Sequence, residues 1–337
     1  MSAMNKLIPT LLAAKINLST CFSRLRGNRS GIIFEAKVGC RRSFVSRTSV
    51  KMSSKHKSEF DAEQANLYNI IAEQHRHQDG PWNMIATEVG ISIDDVVGDL
   101  KTAKILDLAS GPGEPAVTIA KSLRTSGSQQ HHVYSTDLST DMNKVATKAS
   151  EEVENMSAMV VDMMKLEDHF EPGSMDVVTC CYGFMFPDNK EKALQEAYNI
   201  LQPGGTLIAT TCDKVALLTL LEDIMHDVLG HRAPPPDQNP LSLSEPELFE
   251  QMLCDANFSS NLKVIRSTYP FDFGNDPEMQ FKLCTLLVKD KLTDLNGWDT
   301  AREAFIKYAD QYSKVNEQGN RIFSDNTFKM VVAKKAR

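Results

Sequence analysis

The chain has no apolar run of the roughly 20 residues that a membrane-spanning helix needs, so no transmembrane segment is expected. It has no internal repeat, which sets aside solenoids and propellers. Its seven cysteines include no C-x-x-C pair and no Cys/His group at zinc spacing, so no metal site is expected. Cys180 and Cys181 are neighbours on a strand end, where adjacent side chains face opposite ways, and they read as free thiols of a reducing compartment. Beyond residue 57 the chain also lacks basic charge. Of its 37 Lys and Arg and 44 Asp and Glu, 25 and 43 respectively lie there. Phosphate binding needs a basic footprint, so a nucleic-acid partner is not expected.

What is present falls into two unlike parts. Residues 1–57 carry twelve Lys or Arg and a single acid, Glu35. Leu7, Ile8, Leu11, Leu12 and Ile16 recur at helical spacing beside Lys6 and Lys15, and serines are frequent. A basic, Ser-rich, acid-poor and amphipathic start is the composition of an organellar transit peptide. A basic tail that binds anionic partners is the alternative. The expectation is a leader over residues 1–52, with Arg41-Arg42-Ser43-Phe44-Val45-Ser46 as a mitochondrial processing site and cleavage between Phe44 and Ser54. A plastid address fits the same composition, and a cytoplasmic one follows if the segment is not a leader. Residues 58–337 suffice for one large domain, divided into a core at 60–212 and a C-terminal part at 213–337.

Periodicity predicts alternating elements through the core. A helix is expected over Asp61–Gln74, then strands at Ile105–Leu108, Val133–Thr136, Met159–Val161, Asp176–Cys180 and Thr206–Thr211. Helices at Pro115–Leu123, Thr140–Glu154 and Lys190–Leu201 separate them, the last ending in the turn Gln202-Pro203-Gly204-Gly205. Further on, helices are expected at Val215–Leu229 and Glu245–Ala256, the second capped by Ser244. The triplet Pro234-Pro235-Pro236 marks a loop, Val264–Ser267 a strand, residues 271–314 a helical insertion, and Thr327–Ala333 an antiparallel edge strand. The fold class implied is α/β: a doubly wound, mostly parallel seven-stranded sheet with helices on both faces and a helical insertion before the last strand.

The informative loop is Ile105-Leu106-Asp107-Leu108-Ala109-Ser110-Gly111-Pro112-Gly113-Glu114. Strand, tight loop and helix in that order form a nucleotide-binding corner. Gly111-x-Gly113-x-x-Ala116 also fits the dinucleotide pattern. Charge separates the two readings: a pyrophosphate at about 4 Å from Asp107 would be opposed by roughly 4 kcal/mol. S-adenosyl-L-methionine carries a sulfonium and an ammonium and suits a loop bracketed by Asp107 and Glu114. Asp137 and Asp162 close the next two strands, and the carboxyl ends of neighbouring parallel strands share one crevice. Asp107 can then hold the ammonium, Asp137 both ribose hydroxyls and Asp162 the adenine amino group.

Asp107-Leu-Ala-Ser-Gly-Pro-Gly113-Glu114, Thr136-Asp137-Leu138-Ser139-x-x-Met142, Val161-Asp162-Met163 and Met175–Cys180 followed by Tyr182-Gly183 together resemble the class I, seven-strand S-adenosylmethionine-dependent methyltransferases. Ala193-Leu194-x-Glu196 through Leu201–Gly205 matches their helix and turn after the fourth strand, and the closest flavour is the quinone-biosynthesis type. The resemblance implies a donor site of Asp107, Ser110, Gly111, Gly113, Asp137, Leu138, Met142, Asp162, Met163 and Cys180. It implies in-line methyl transfer to a small-molecule acceptor through oxygen, sulfur or carbon, with Tyr182 either the candidate catalytic residue orienting that acceptor or a core-edge tyrosine that only packs. Ala109 stands where many members have Gly, so it is expected in an ordinary backbone region. His75, His77, His226 and His231 have the chemistry of a base but read as solvated helix-end residues; Tyr68, Trp82, Phe184 and Phe186 can wall an acceptor pocket or fill the core. The other classes in play are a methyltransferase-like assembly factor without turnover and an NAD(P) oxidoreductase.

Overall fold

The computed structural model describes residues 32–37, 62–97, 102–125, 131–233 and 239–337. Most of the expected leader and the Pro234–Pro236 loop lie outside the described residues. The chain begins with strand β1 (Ile32–Lys37), helix α1 (Ala62–Glu73), a 3-10 turn at Gln74–Arg76 and helix α2 (Pro81–Val97). Alternating units follow: β2 (Lys104–Leu108), α3 (Ala116–Thr125), β3 (His132–Asp137), α4 (Thr140–Ser150), β4 (Met156–Val160), β5 (Met175–Cys181), α5 (Lys190–Ile200) and β6 (Leu201–Val215). Then come α6 (Ala216–Leu229), α7 (Leu248–Asp255), β7 (Asn261–Thr268), β8 (Phe271–Asp272), α8 (Pro277–Thr285), α9 (Lys289–Asp294), α10 (Trp298–Tyr312), β9 (Lys314–Val315), β10 (Arg321–Phe323) and β11 (Asn326–Lys334).

Strands run in the order β1-β7-β11-β6-β5-β2-β3-β4, and β8-β10-β9 form a separate small sheet. From β6 to β4 every pairing is parallel, while β11 is antiparallel to both its neighbours. Strands β7 to β4 are the expected seven-stranded, mostly parallel sheet. Strand β1, from the segment read as a leader, adds an antiparallel edge on β7.

Alternation along the parallel strands sends side chains to two cores. Ile105 and Val177 join one face with α2, α3 and α6, and Leu106, Leu108, Val178 and Cys180 join the other with α5 and α7. Asp107 and Thr179 are paired in register on the first face, inside the sheet rather than at its rim.

Five local expectations are corrected. Strand β11 is not an edge: it is hydrogen-bonded on both sides, and Phe328–Ala333 are buried throughout, as a central strand requires. The third parallel strand ends at Val160, so Asp162 lies two residues beyond it. Helix α7 starts only at Leu248, and the Ser244 hydroxyl donates to the Leu241 carbonyl instead of capping it. Helix α4 stops at Ser150, and Gln202–Gly205 form an irregularity within β6 with Gly204 at φ +83°. Helix α2 was not foreseen at all. Gly90 and the β-branched Ile91 and Ile93 blur its pattern, yet Ile85, Val89 and Ile93 form a buried stripe at four-residue spacing.

Candidate active site

The donor loop is built at the carboxyl ends of β2 and β3. Ser110 N donates to the Thr136 carbonyl at 2.9 Å, and Gly113 N and Glu114 N both donate to the Ser110 carbonyl. Gly111 N donates to Asp137 Oδ2 at 2.9 Å, and Ser139 N to Asp137 Oδ1 at 2.8 Å. Asp137 therefore stitches loop to strand end, and each of its oxygens keeps a free lone pair. Gly113, at φ +107°, lies so close to α4 that a Cβ there would stand 3.3 Å from Ala146 Cα. Its need for glycine comes from helix packing and backbone conformation together.

Ala109 corrects the expectation of an ordinary backbone. Its φ is +50°. The bond from Ser110 N to β3 holds the turn in the left-handed region, at a cost of about 1–2 kcal/mol for a residue with a Cβ. Tyr182 stands at φ +57° opposite it, at the end of β5. Gly183 is the contact between these two strained turns: a Cβ there would lie 2.5 Å from Cys180 Sγ, 2.7 Å from Ala109 Cβ and 3.4 Å from Met163 Cε.

Asp107 is wholly buried. The Thr179 hydroxyl donates to its Oδ1 at 2.5 Å, while Oδ2 and the buried Ser110 Oγ have no hydrogen-bond partner. Burial pushes the carboxyl up to about 7, partly offset by the Ser110 hydroxyl, which lies near it without completing a hydrogen bond, and by that of Thr179. A carboxylate oxygen and a hydroxyl, both buried without a partner beside one loop, are the environment a ligand ammonium satisfies.

Glu114 is engaged differently from the expectation that a ligand's positive group answers it. Arg76 Nη2 donates to its Oε1 at 2.8 Å, and the Thr118 hydroxyl to its Oε2 at 2.7 Å. Arg76 also lies 4.9 Å over the Trp82 ring. The 3-10 turn at Gln74–Arg76 is thus a clasp: Arg76 reaches the donor loop, and Gln74 Oε1 accepts from Asp272 N in β8 at 2.9 Å.

Of the remaining donor-site candidates, Asp162 sits beside Val161, whose N–H donates to the Asp137 carbonyl, and its Oδ1 accepts from Met164 N. Met142 N donates to Ser139 Oγ at the start of α4, and Leu138, 69% exposed, projects just past β3. Cys180 is buried under Gly183, and burial pushes its thiol far up, so it packs rather than ionises. The structure thus gathers all ten predicted donor residues at the ends of β2 to β5.

The acceptor candidates divide. His75 is not a solvated helix end. Its Nδ1 is 2.6 Å from the Tyr269 hydroxyl, its ring meets Trp82, Tyr182, Tyr269 and Phe271, and burial lowers its pKa to about 4. The Tyr182 and Tyr269 hydroxyls are 3.2 Å apart. His77 accepts from Asp79 N, His231 lies against the Leu229 carbonyl, and His226 pairs with Asp227, as turn and helix-end residues do. Phe184 packs on Phe249 in the opposite core, Phe186 is exposed, and the Tyr68 side chain lies outside the described residues. Nothing local marked Tyr269, Arg76 or Thr179. Their partners are 194, 38 and 72 residues away in sequence.

Among the described residues no three His, Cys, Asp or Glu are grouped to hold a metal, and no helix is long and apolar enough to cross a membrane.

Sheet order and the loop after β2 define a doubly wound, mostly parallel α/β architecture with a ligand corner at the carboxyl ends of β2 and β3. Residues 89–224 match the ubiE/COQ5 methyltransferase family, which bears out the resemblance carried by the donor loop. Similar curated proteins include the demethylmenaquinone methyltransferase of Lactococcus lactis subsp. lactis, 34% identical over 33% of this chain and 43% of that protein. Another is the ubiquinone/menaquinone biosynthesis C-methyltransferase UbiE of Rickettsia typhi, 33% identical over 34% of this chain and 46% of its own length. The match therefore spans less than half the length of these relatives. Among solved structures, the YcgJ protein of Bacillus subtilis superposes with a TM-score of 0.46 at 14% identity, covering 74% of this chain and 99% of that one.

Proposed function

We propose that this protein transfers the methyl group of S-adenosylmethionine to a small-molecule acceptor. The observation that carries the reading is the pair of orphaned oxygens, Asp107 Oδ2 and Ser110 Oγ, buried beside a loop that Asp137 ties to the next strand. A pyrophosphate would meet a buried carboxylate there; an ammonium meets two waiting lone pairs. When bound, S-adenosylmethionine supplies an electrophilic methyl on a sulfonium. Asp107 and Ser110 would hold its ammonium end, Asp137 its ribose hydroxyls, and Asp162, Leu138, Met142 and Met163 its adenine. Gly183 keeps the β5 end against the donor loop, so that Tyr182 faces the acceptor. Alignment of acceptor and methyl accounts for much of the rate in such reactions, up to about 7–11 kcal/mol.

The acceptor atom is carbon, oxygen or sulfur; the relative named as a ubiquinone/menaquinone biosynthesis C-methyltransferase favours carbon. The mitochondrion is the compartment the N-terminal composition supports. Cleavage between Phe44 and Ser54 would remove β1 and leave β7 as the sheet edge.

Calorimetric titration with S-adenosylmethionine and with NAD tests the reading. Binding of the first and not the second is expected. Asp137→Ala should weaken the donor by about 1.5–3 kcal/mol, the loss of charge-assisted hydrogen bonds. Tight NAD binding, or an unchanged donor affinity in that variant, ends the assignment.

A further inference from the structure

We propose that His75, acting through Tyr269, makes Tyr182 a proton-accepting group for the methyl acceptor, so that the acceptor is a hydroxyl-bearing compound whose proton leaves along Tyr182, Tyr269 and His75. The inference rests on the methyl-transfer reading and concerns the other half of the site.

The direction of the chain follows from its geometry. A 2.6 Å contact between Tyr269 Oη and His75 Nδ1 is shorter than the usual N–H···O distance and suits O–H donation. A phenol is also a much stronger acid than the N–H of a neutral imidazole, so Tyr269 donates to His75. Having spent its proton there, Tyr269 Oη can only accept from Tyr182 at 3.2 Å. Tyr182 Oη in turn has spent its proton and offers lone pairs. A hydroxyl fills that vacancy. A thioether has no proton to give.

The surroundings keep this order. Trp82 from α2, Tyr182 after β5, and Tyr269 and Phe271 from the β7–β8 turn surround the imidazole. His77 stacks on Tyr269, Cys181 and Cys212 stand near both phenols, and Arg76 is turned away to Glu73 and Glu114. Burial holds both phenols well above their ordinary range and the imidazole well below its own. All three are therefore neutral at physiological pH. A weak base suffices: as the new methyl bond forms and the electron pair of the broken bond stays on sulfur, the hydroxyl becomes strongly acidic. Its proton passes to Tyr182 Oη, that of Tyr182 to Tyr269 Oη, and that of Tyr269 to His75 Nδ1. The positive charge lost by the sulfonium reappears on His75. A cleft of about 440 Å³ is lined by Glu73, Gln74, Arg76 and His77, the residues flanking His75 in sequence.

The test uses the full chain with His75→Gln and Tyr269→Phe. Calorimetry should give S-adenosylmethionine affinities within about twofold of wild type, as neither side chain contacts the donor loop. A wild-type chain that fails to bind the donor removes the methyl-transfer reading and leaves the direction of the bonds to the next measurement. Nitrogen-15 spectra of histidine-labelled protein should show an unprotonated Nδ1 on His75; a protonated Nδ1 overturns the proposal. Labelled-methyl transfer is then compared between 1,4-naphthohydroquinone and 3-(methylthio)propionate. Transfer to the hydroquinone is expected, with kcat in both variants lower by about 10²–10³-fold and KM unchanged. The His75→Gln rate should climb about tenfold per pH unit between roughly pH 7 and 9, as the hydroxyl ionises unaided, while wild type stays flat. Transfer to the thioether alone, transfer to neither probe by a chain that binds the donor, or variants with wild-type kcat and pH profile each overturn it.

Discussion

Asp107 is the residue whose environment departs furthest from what its type prefers. Its carboxyl titrates near 7 in the fold against 3.8 in an open chain. Between those values the folded protein holds a proton that the unfolded chain has lost, so stability falls as pH rises from about 4 to 7. The slope approaches about 1.4 kcal/mol per pH unit where the difference is complete. Denaturant melts at pH 5, 6 and 7 should show that fall in wild type and a flatter profile in Asp107→Asn; parallel profiles would contradict the burial argument. Donor affinity should run the other way, rising with pH through 7 in wild type as the carboxylate becomes available to the ammonium.

Ala109 and Gly183 give a second test at the same scale. Ala109→Gly should stabilise the protein by about 1 kcal/mol, since glycine occupies positive φ freely. Gly183→Ala should do the reverse, by about 1–3 kcal/mol, because its Cβ has no room between Cys180 and Ala109. Thermal melts of the two variants check both signs. The donor loop itself was legible from these residues alone, because strand, turn and helix signals are local. The backbone of Ala109 was not, since a bond to β3 imposes it.

At the scale of elements, β11 shows how a strand is placed. Its apolar run predicted a strand, and only the pairings on both sides put it inside the sheet. The cost of that position is Lys329, 1% exposed, whose ammonium donates to Glu250 of α7 at 2.7 Å. Removing one partner leaves a buried charge. Lys329→Met should therefore destabilise by about 3–5 kcal/mol, and Lys329→Met with Glu250→Leu should recover most of it. Equal losses in the single and double variants, read from chemical denaturation, would show that packing rather than charge governs the pair. The clasp at Gln74–Arg76 is exposed and weaker. Arg76→Ala should cost at most about 1 kcal/mol of stability, read from chemical denaturation.

At the scale of the whole molecule, the seven strands from β7 to β4 carry both cores, and β1 pairs antiparallel with β7 at the edge of the sheet. A chain starting at Ser53 should keep its far-ultraviolet spectrum and its affinity for S-adenosylmethionine. Loss of either would make β1 an integral part of the domain. Mass analysis of the protein from its own cells should find an N-terminus between Phe44 and Ser54; an intact Met1 would end the leader assignment.

The sequence by itself determined the alternating strands and helices of the core, the carboxylate Asp137 that ends β3, and the loop between Asp107 and Glu114. Each of these is written within a dozen residues, where periodicity and turn chemistry act. The cluster around His75 was decided only by tertiary structure. His75 and Tyr269 meet across 194 residues, and neither has a neighbour in sequence that foretells the other. A histidine at a helix end is ordinarily solvated; here it becomes a half-buried hydrogen-bond partner of Tyr269 because the β7–β8 turn folds back over it.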